Sequence, residues 1–229
     1  MIAPNDGAVH ELGSTPVPAA GQVDDSPIDV GIPIATDLDA LWRAVEPATR
    51  TRSNDVHLPM TVAYAERLCA AHPEANTELV RVTALLHDTG WSRIDEERIF
   101  REGFAEGWKT SRVRHEHEEH GCAIAREVLP GLGYSAAFVA AVVAIIDGHD
   151  TRPEALSLED ALLRDADRLW RFNPTGIAVA SGWFSTTPAG YAHLTETQDY
   201  PELLTEAGRR IALAELARAK RLFRVDVLP

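Results

Sequence analysis

Residues 82–90 read VTALLHDTG, an apolar helical run that ends in an adjacent histidine and aspartate, His87 and Asp88, followed by Gly90. Within the helix expected over residues 74–88, Val80, Thr83, Ala84 and His87 fall at spacings 0, 3, 4 and 7, so the imidazole lies on the apolar stripe. Neighbouring residues of a helix point about 100° apart. His87 and Asp88 therefore reach a common point only where the helix stops and the backbone turns, and Gly90 is a suitable terminator. Upstream, NDVHLPMTVAYAERL (residues 54–68) places His57, Met60, Thr61, Tyr64 and Leu68 on one stripe of a helix over 54–71, capped by Asn54 or Asp55. Downstream, helices are expected over 112–129, 135–147 (capped by Ser135), 156–172, a short one near 176–184, and 201–224. A short first helix covers 37–48 with Asp37 as its cap, and the stretches after Gly90 and after residue 184 read as loops. No alternating strand pattern and no repeat competes. The expectation is an all-α domain of seven to nine helices.

The chain has 229 residues with 22 basic against 35 acidic, a formal net charge of −13. That balance argues against nucleic acid or an anionic membrane as a main partner. The longest apolar run, AAFVAAVVAII at 136–146, is about half the roughly 20 residues that a membrane-spanning helix needs. The first 36 residues hold five prolines, five acids and no lysine or arginine, which reads as a flexible leader without a secretory or transit signal. A cytoplasmic protein is expected, with Cys69 and Cys122 as buried packing thiols. The division is a leader at 1–36 and a helical domain at 37–229, the latter split into a core over about 38–172 and a C-terminal helical extension over 173–229.

Polar groups on core stripes are costly unless something satisfies them. Six histidines, at 57, 87, 115, 117, 120 and 149, occupy helix positions or ends with apolar neighbours. One set recurs at a helical-hairpin interval: His57, His87-Asp88, His117, His149 and Asp167, separated by about 30, 29, 32 and 18 residues. Antiparallel helices of that length return the chain to the same level, the way metal sites inside bundles are built. Gly121, one turn after His117, leaves room for a close approach there.

With NDVHLPMTVAYAERL, VTALLHDTG and LLRDADRL (residues 162–169) in hand, the chain resembles the HD-domain superfamily of metal-dependent phosphohydrolases, whose pattern is H…HD…D on a bundle of about five helices. HEEHGCAIAREVL (117–129) and VVAIIDGHD (142–150) are similar to the extra histidine pair of its two-metal branches. The resemblance implies an HD-like helical bundle in which His57, His87, Asp88 and Asp167 hold a first ion, and His117 and His149 a second with Asp88 bridging. His115 and His120 compete with His117 for that place. Imidazole and carboxylate ligands suit Mn, Fe, Ni, Co or Zn, and one or two such ions would activate water with Asp88 at the catalytic centre. The expected substrate is a small phosphorylated metabolite or nucleotide. Lys109, Arg112, Arg114, Arg164, Arg168 and His120 are its candidate contacts, and Asp160 and Asp165 are candidate acceptors for the ligand rings.

Relatives that cleave nucleotides place an acid three residues after the Asp, and other branches place a Lys there; this chain has Trp91. Trp91, Trp108 and Trp170 are candidates for the wall of an apolar pocket. A mixed-valent di-iron oxygenase cleaving a C–C or C–P bond shares the same scaffold and is the alternative chemistry. A binding domain without catalysis is a third reading, which the retained ligand set disfavours. The amphipathic segment 201–224 is expected to pack on its own bundle, with a homodimer as the other use of that face.

Overall fold

The computed structural model describes residues 38–103 and 111–223. Ten α-helices, joined by short 3-10 turns, and no strand are found among the described residues. The leader, the Asp37 cap, Trp108 and Lys109 lie outside them.

After α1 (Asp39–Val45), the chain passes through two left-handed residues, Arg52 (φ 57°) and Ser53 (φ 58°), into α2 (Asn54–Ala71). α3 (Thr77–Leu86) starts with the Asn76 side chain accepting from the Leu79 amide, the expected chemistry for an N-cap. It stops at Leu86, two residues before the sequence pattern does. The chain then tightens into a 3-10 turn, Thr89–Arg93, that faces α5 (Arg112–Val128). Gly90 is required at this contact: a Cβ there would lie 1.9 Å from the His117 carbonyl oxygen and 2.4 Å from the Gly121 amide. The two glycines let turn and helix touch backbone to backbone.

α6 (Ala136–Ile146), capped by Ser135, is followed by Gly148, whose φ of +89° turns the chain so that His149 comes inward. α7 (Leu158–Leu169), capped by Ser157, lies against α2 and α3. The extension is more regular than its composition suggests. α8 (Pro174–Trp183) is followed by α9 (Pro188–Leu194), with Thr187 as cap and Pro188 at the first helical position, then by a π-helical segment, Thr195–Asp199. The Thr-Pro-Gly composition there marks a helix start rather than a loop. The stretch expected to be loose after Gly90 likewise contains α4 (Glu96–Gly103), held by Arg98 ion pairs to Glu102 and Glu116. α10 (Glu206–Leu222) begins at the Thr205 cap rather than at residue 201, and packs on α7, α8 and α9 of its own chain.

One contiguous set of buried apolar side chains runs from Leu41 in α1 to Ala219 in α10. Its centre is α2, α3 and α7, where Leu58, Leu85, Leu86, Leu162 and Leu163 are fully buried. Burial of aliphatic groups contributes about 1.5–3 kcal/mol per side chain of this size, and that frame carries the polar cluster described next. Among the described residues no helix is long and apolar enough to cross a membrane.

Candidate metal centre and its pocket

The six expected ligands, drawn from five helices or helix ends between α2 and α7, meet at one place. His57 Nε2 lies 3.2 Å from His87 Nε2, 3.5 Å from Asp88 Oδ2 and 3.3 Å from Asp167 Oδ1. His87 Nε2 is 3.6 Å from Asp167 Oδ1. On the other side of Asp88, its Oδ1 is 3.4 Å from His117 Nε2 and 3.6 Å from His149 Nε2. Two triads result, His57–His87–Asp88 and Asp88–His117–His149, each with its donor atoms within 4.8 Å of one another and all residues buried. Asp88 belongs to both.

Ring orientation follows from what each second nitrogen touches. His87 Nδ1 lies 2.8 Å from the Ala84 carbonyl and His149 Nδ1 lies 2.9 Å from the Ile146 carbonyl; a carbonyl only accepts, so these nitrogens carry the proton. The Thr61 hydroxyl donates to the His57 carbonyl, so its oxygen accepts from His57 Nδ1 at 3.3 Å. In the neutral rings, Nε2 of all three then presents a lone pair to the centre. Backbone carbonyls and Thr61 do the orienting, rather than Asp160 and Asp165. Asp160 pairs with Arg152 and Arg164, and Asp165 accepts from the Leu204 and Thr205 amides and the Thr205 hydroxyl.

These facts test whether a cation fits. Two lone-pair nitrogens 3.2 Å apart do not hydrogen-bond to each other, and the buried Nε2 atoms of His117 and His149 have no hydrogen-bond partner. Buried lone pairs without partners are costly, and a shared positive charge satisfies all of them. The electrostatics agree. Burial pushes the Asp88 carboxyl up, but His87, His117, His149 and His57 together hold it well below the usual range. Burial lowers His149, yet the nearby Asp88 carboxylate and the charges of Asp150 and Glu118 carry it up to about 10. His57 rises for the same reason, with Asp167 and Asp88 outweighing burial, whereas at His117 burial wins and the value falls. The carboxylates thus demand positive charge, which a cation supplies in place of protons. The donor set of imidazole nitrogens and carboxylate oxygens suits a divalent transition ion.

Residues outside the expected ligand set support this centre. The Asn54 side chain donates to the Asp88 carbonyl at 2.9 Å. The Trp91 indole N–H donates to Asp88 Oδ1 at 3.0 Å, and its ring stacks on His117 with centroids 4.1 Å apart and planes 8° from parallel. Arg52 lies over the Trp91 ring, 4.2 Å from its centroid. Glu118 accepts from the amides of Asp150 and Thr151, and Asp150 pairs with Arg114 at 2.8 Å.

The centre opens into a cavity of about 190 Å³ lined by Arg52, Arg114 and Arg171 as its cations, and by His57, Asp88, Asp150 and Asp167 at its floor. Arg171 ties Asp167 (3.7 Å) to Asp199 of the π-helical segment (3.2 Å). Of the expected substrate contacts, Arg114 is in this wall. Arg112 is exposed and paired with Glu116, and His120 stands half-buried on α5 outside the cavity wall. Arg168 lines a neighbouring cleft beside Glu202. Arg164 is buried against Asp160 and the carbonyls of Gly148, Arg152 and Glu154, which makes it a structural clamp rather than a phosphate contact. Trp91 and Trp170 line the cavity as expected. Arg52 carries no sequence signal, since its place depends on left-handed backbone. Arg171 had one, its position four residues after Asp167, and Asp150 had another, as the second half of a second His-Asp pair.

An all-helical bundle with two buried histidine–carboxylate triads sharing one aspartate defines a class of metal-site protein. The HD domain family matches residues 55–171, and the chain belongs to that family. Its fold is similar to the crystal structure of a predicted HD superfamily hydrolase from an uncultured Thermotogales bacterium, at 23% identity and a TM-score of 0.53, over 81% of this chain and 88% of that one. No curated protein matches the chain.

Proposed function

We propose that the protein is a metal-dependent phosphohydrolase acting on a small phosphorylated metabolite or nucleotide. One observation carries this reading: two buried triads share Asp88, which with His57 and Asp167 lines a cavity whose wall presents Arg52, Arg114 and Arg171. On this reading His57, His87, Asp88 and Asp167 hold one ion, and Asp88, His117 and His149 hold a second. A divalent transition ion supplies Lewis acidity to phosphoryl oxygens and lowers the pKa of water toward neutrality. The chain does the rest. Asp88, fixed by Asn54 and Trp91, keeps the two triads in register. The guanidinium groups receive the phosphoryl oxygens, for which their planar forks are suited. All six ligands are buried, so the centre meets solvent through the cavity alone.

The test is chelation followed by re-addition of single metals. Phosphate release from generic esters is expected to vanish on chelation and to return with Mn²⁺ or Ni²⁺. Full activity in the chelated protein rules the mechanism out. An iron-loaded, coloured protein that consumes O₂ and releases no phosphate establishes the oxygenase chemistry instead.

A further inference from the structure

The cavity has two chemically different ends. Its floor is charged, but the wall leading away from the triads is aromatic: Trp170, Trp183, Phe184 and Tyr191 all line it. These rings contact one another in two sets, one of which starts at a ligand. The Trp170 ring is 4.7 Å from that of His57 and 5.7 Å from that of Trp183, and Phe184 stacks on Tyr191 at 5.7 Å with planes 23° apart. Arg52 sits at the junction, over both Trp91 (4.2 Å) and Trp183 (5.3 Å), so the cation that faces the phosphoryl end is held by the aromatic end.

Trp170 and Tyr191 are buried, whereas Trp183 and Phe184 are half-buried and Leu194 beside them is 36% exposed. A packing aromatic turns its faces into the core; these two turn part of theirs into a cavity. All of Trp183, Phe184, Tyr191 and Leu194 come from α8, α9 and the turn between them, beyond the residues 55–171 that match the family. The turn itself is shaped by Ser185, whose φ of 49° is uncommon for a side-chain-bearing residue and brings Phe184 toward Tyr191.

We infer that this wall is a subsite for the organic part of the substrate, and that it selects phosphomonoesters of a planar aromatic alcohol. The inference rests on the phosphohydrolase reading for the reaction and on the wall's geometry for the selectivity. Flat π surfaces and an interleaved guanidinium recognise another ring by offset stacking and cation–π contact, and they give a small aliphatic alcohol little to bind. In the reaction, the P–O bond to the alcohol breaks, water adds its hydroxyl to phosphorus, and the alcohol departs with the proton from water. No oxidant or reductant is needed.

Two measurements on the full chain loaded with Mn²⁺ test it. In the first, kcat/KM for 1-naphthyl phosphate is compared with that for glycerol 2-phosphate, in the wild type and in Trp183→Ala and Phe184→Ala. The wild type is expected to favour the aryl ester by about tenfold or more, chiefly through KM, with each variant reducing the ratio to within about threefold. In the second, phenylphosphonate and methylphosphonate are titrated while tryptophan fluorescence is recorded, which reads binding without turnover. Phenylphosphonate is expected to bind more tightly and to quench, and Trp183→Ala to remove that advantage. Equal use of the two esters, equal binding of the two phosphonates, or a preference that survives both substitutions overturns the subsite. If no ester is hydrolysed, the phosphohydrolase reading falls while the phosphonate titration still decides the wall. A correctly folded Trp183→Phe variant, retaining a ring, is expected to keep most of the preference.

Discussion

Trp91 stands three residues after Asp88, where an acid or a lysine would have offered charge, and offers a donor and a flat face instead. Its N–H occupies Asp88 Oδ1, and its ring backs His117, so one residue orients a member of each triad. Groups that orient metal ligands commonly change affinity by about 10–100-fold when removed. Trp91→Phe, which keeps a stacking ring and loses the N–H, is therefore expected to weaken Mn²⁺ binding by about tenfold or more, as read by competition with a chromogenic chelator. Unaltered affinity contradicts the role. At this scale the sequence showed the ligands well, because buried imidazoles on apolar stripes are costly anomalies. It showed the arginines poorly. Arg112 and Arg114 are two residues apart with the same chemistry, yet one pairs with Glu116 in solvent and the other lines the cavity. Only the rotation of α5 separates them.

Among the elements, the contact of the 89–93 turn with α5 decides whether His87-Asp88 and His117 share a centre. A methyl group on Gly90 would overlap the His117 carbonyl and the Gly121 amide, and both are backbone atoms that cannot swing aside. Gly90→Ala is expected to cost roughly 2–3 kcal/mol in urea unfolding, and to weaken metal binding as well because His117 is displaced. A loss below roughly 0.5 kcal/mol would mean that the contact yields. The sequence marks Gly90 as a helix terminator and Gly121 as a place of close approach; that each is the other's partner required the fold. Helices α2, α3, α5, α6 and α7 were legible because each carries a long apolar stripe or a capping residue. α4 and α9 were not, since each is under nine residues and lies in a segment rich in charge or in Thr, Pro and Gly. Short helices draw their stability from neighbours rather than from local pattern.

Over the whole molecule, charge and burial are unevenly distributed. A chain of net charge −13 gathers three arginines and an aromatic wall around one cavity, while its two thiols are sealed in the core. Burial pushes both Cys69 and Cys122 up to about 11. At pH 8 the thiolate of such a group is about 0.1% of the total, so native protein is expected to resist iodoacetamide, with both thiols alkylated only in denaturant. The linkage has a definite sign. The unfolded thiols lose protons near pH 9, whereas the folded ones hold theirs to about 11, so stability falls as pH rises through that interval and is untouched by these groups below it. Melting temperatures measured from pH 7 to 11 check this; a curve that stays flat to pH 11 contradicts it. The reading of an all-helical bundle reached this scale intact, because stripe periodicity and spacing are properties of the chain. The aromatic wall was legible only in Trp91 and Trp170, since Trp183, Phe184 and Tyr191 join them only when the extension folds back over the bundle.

The central claim is that Asp88 is shared between two cation sites. Elemental analysis of protein dialysed against Mn²⁺ tests it most directly, in the wild type and in Asp88→Ala, with circular dichroism confirming that the variant is folded. The account predicts two ions per wild-type chain and none retained by the variant; a wild type that holds no metal, or a folded variant that still holds two, would contradict it.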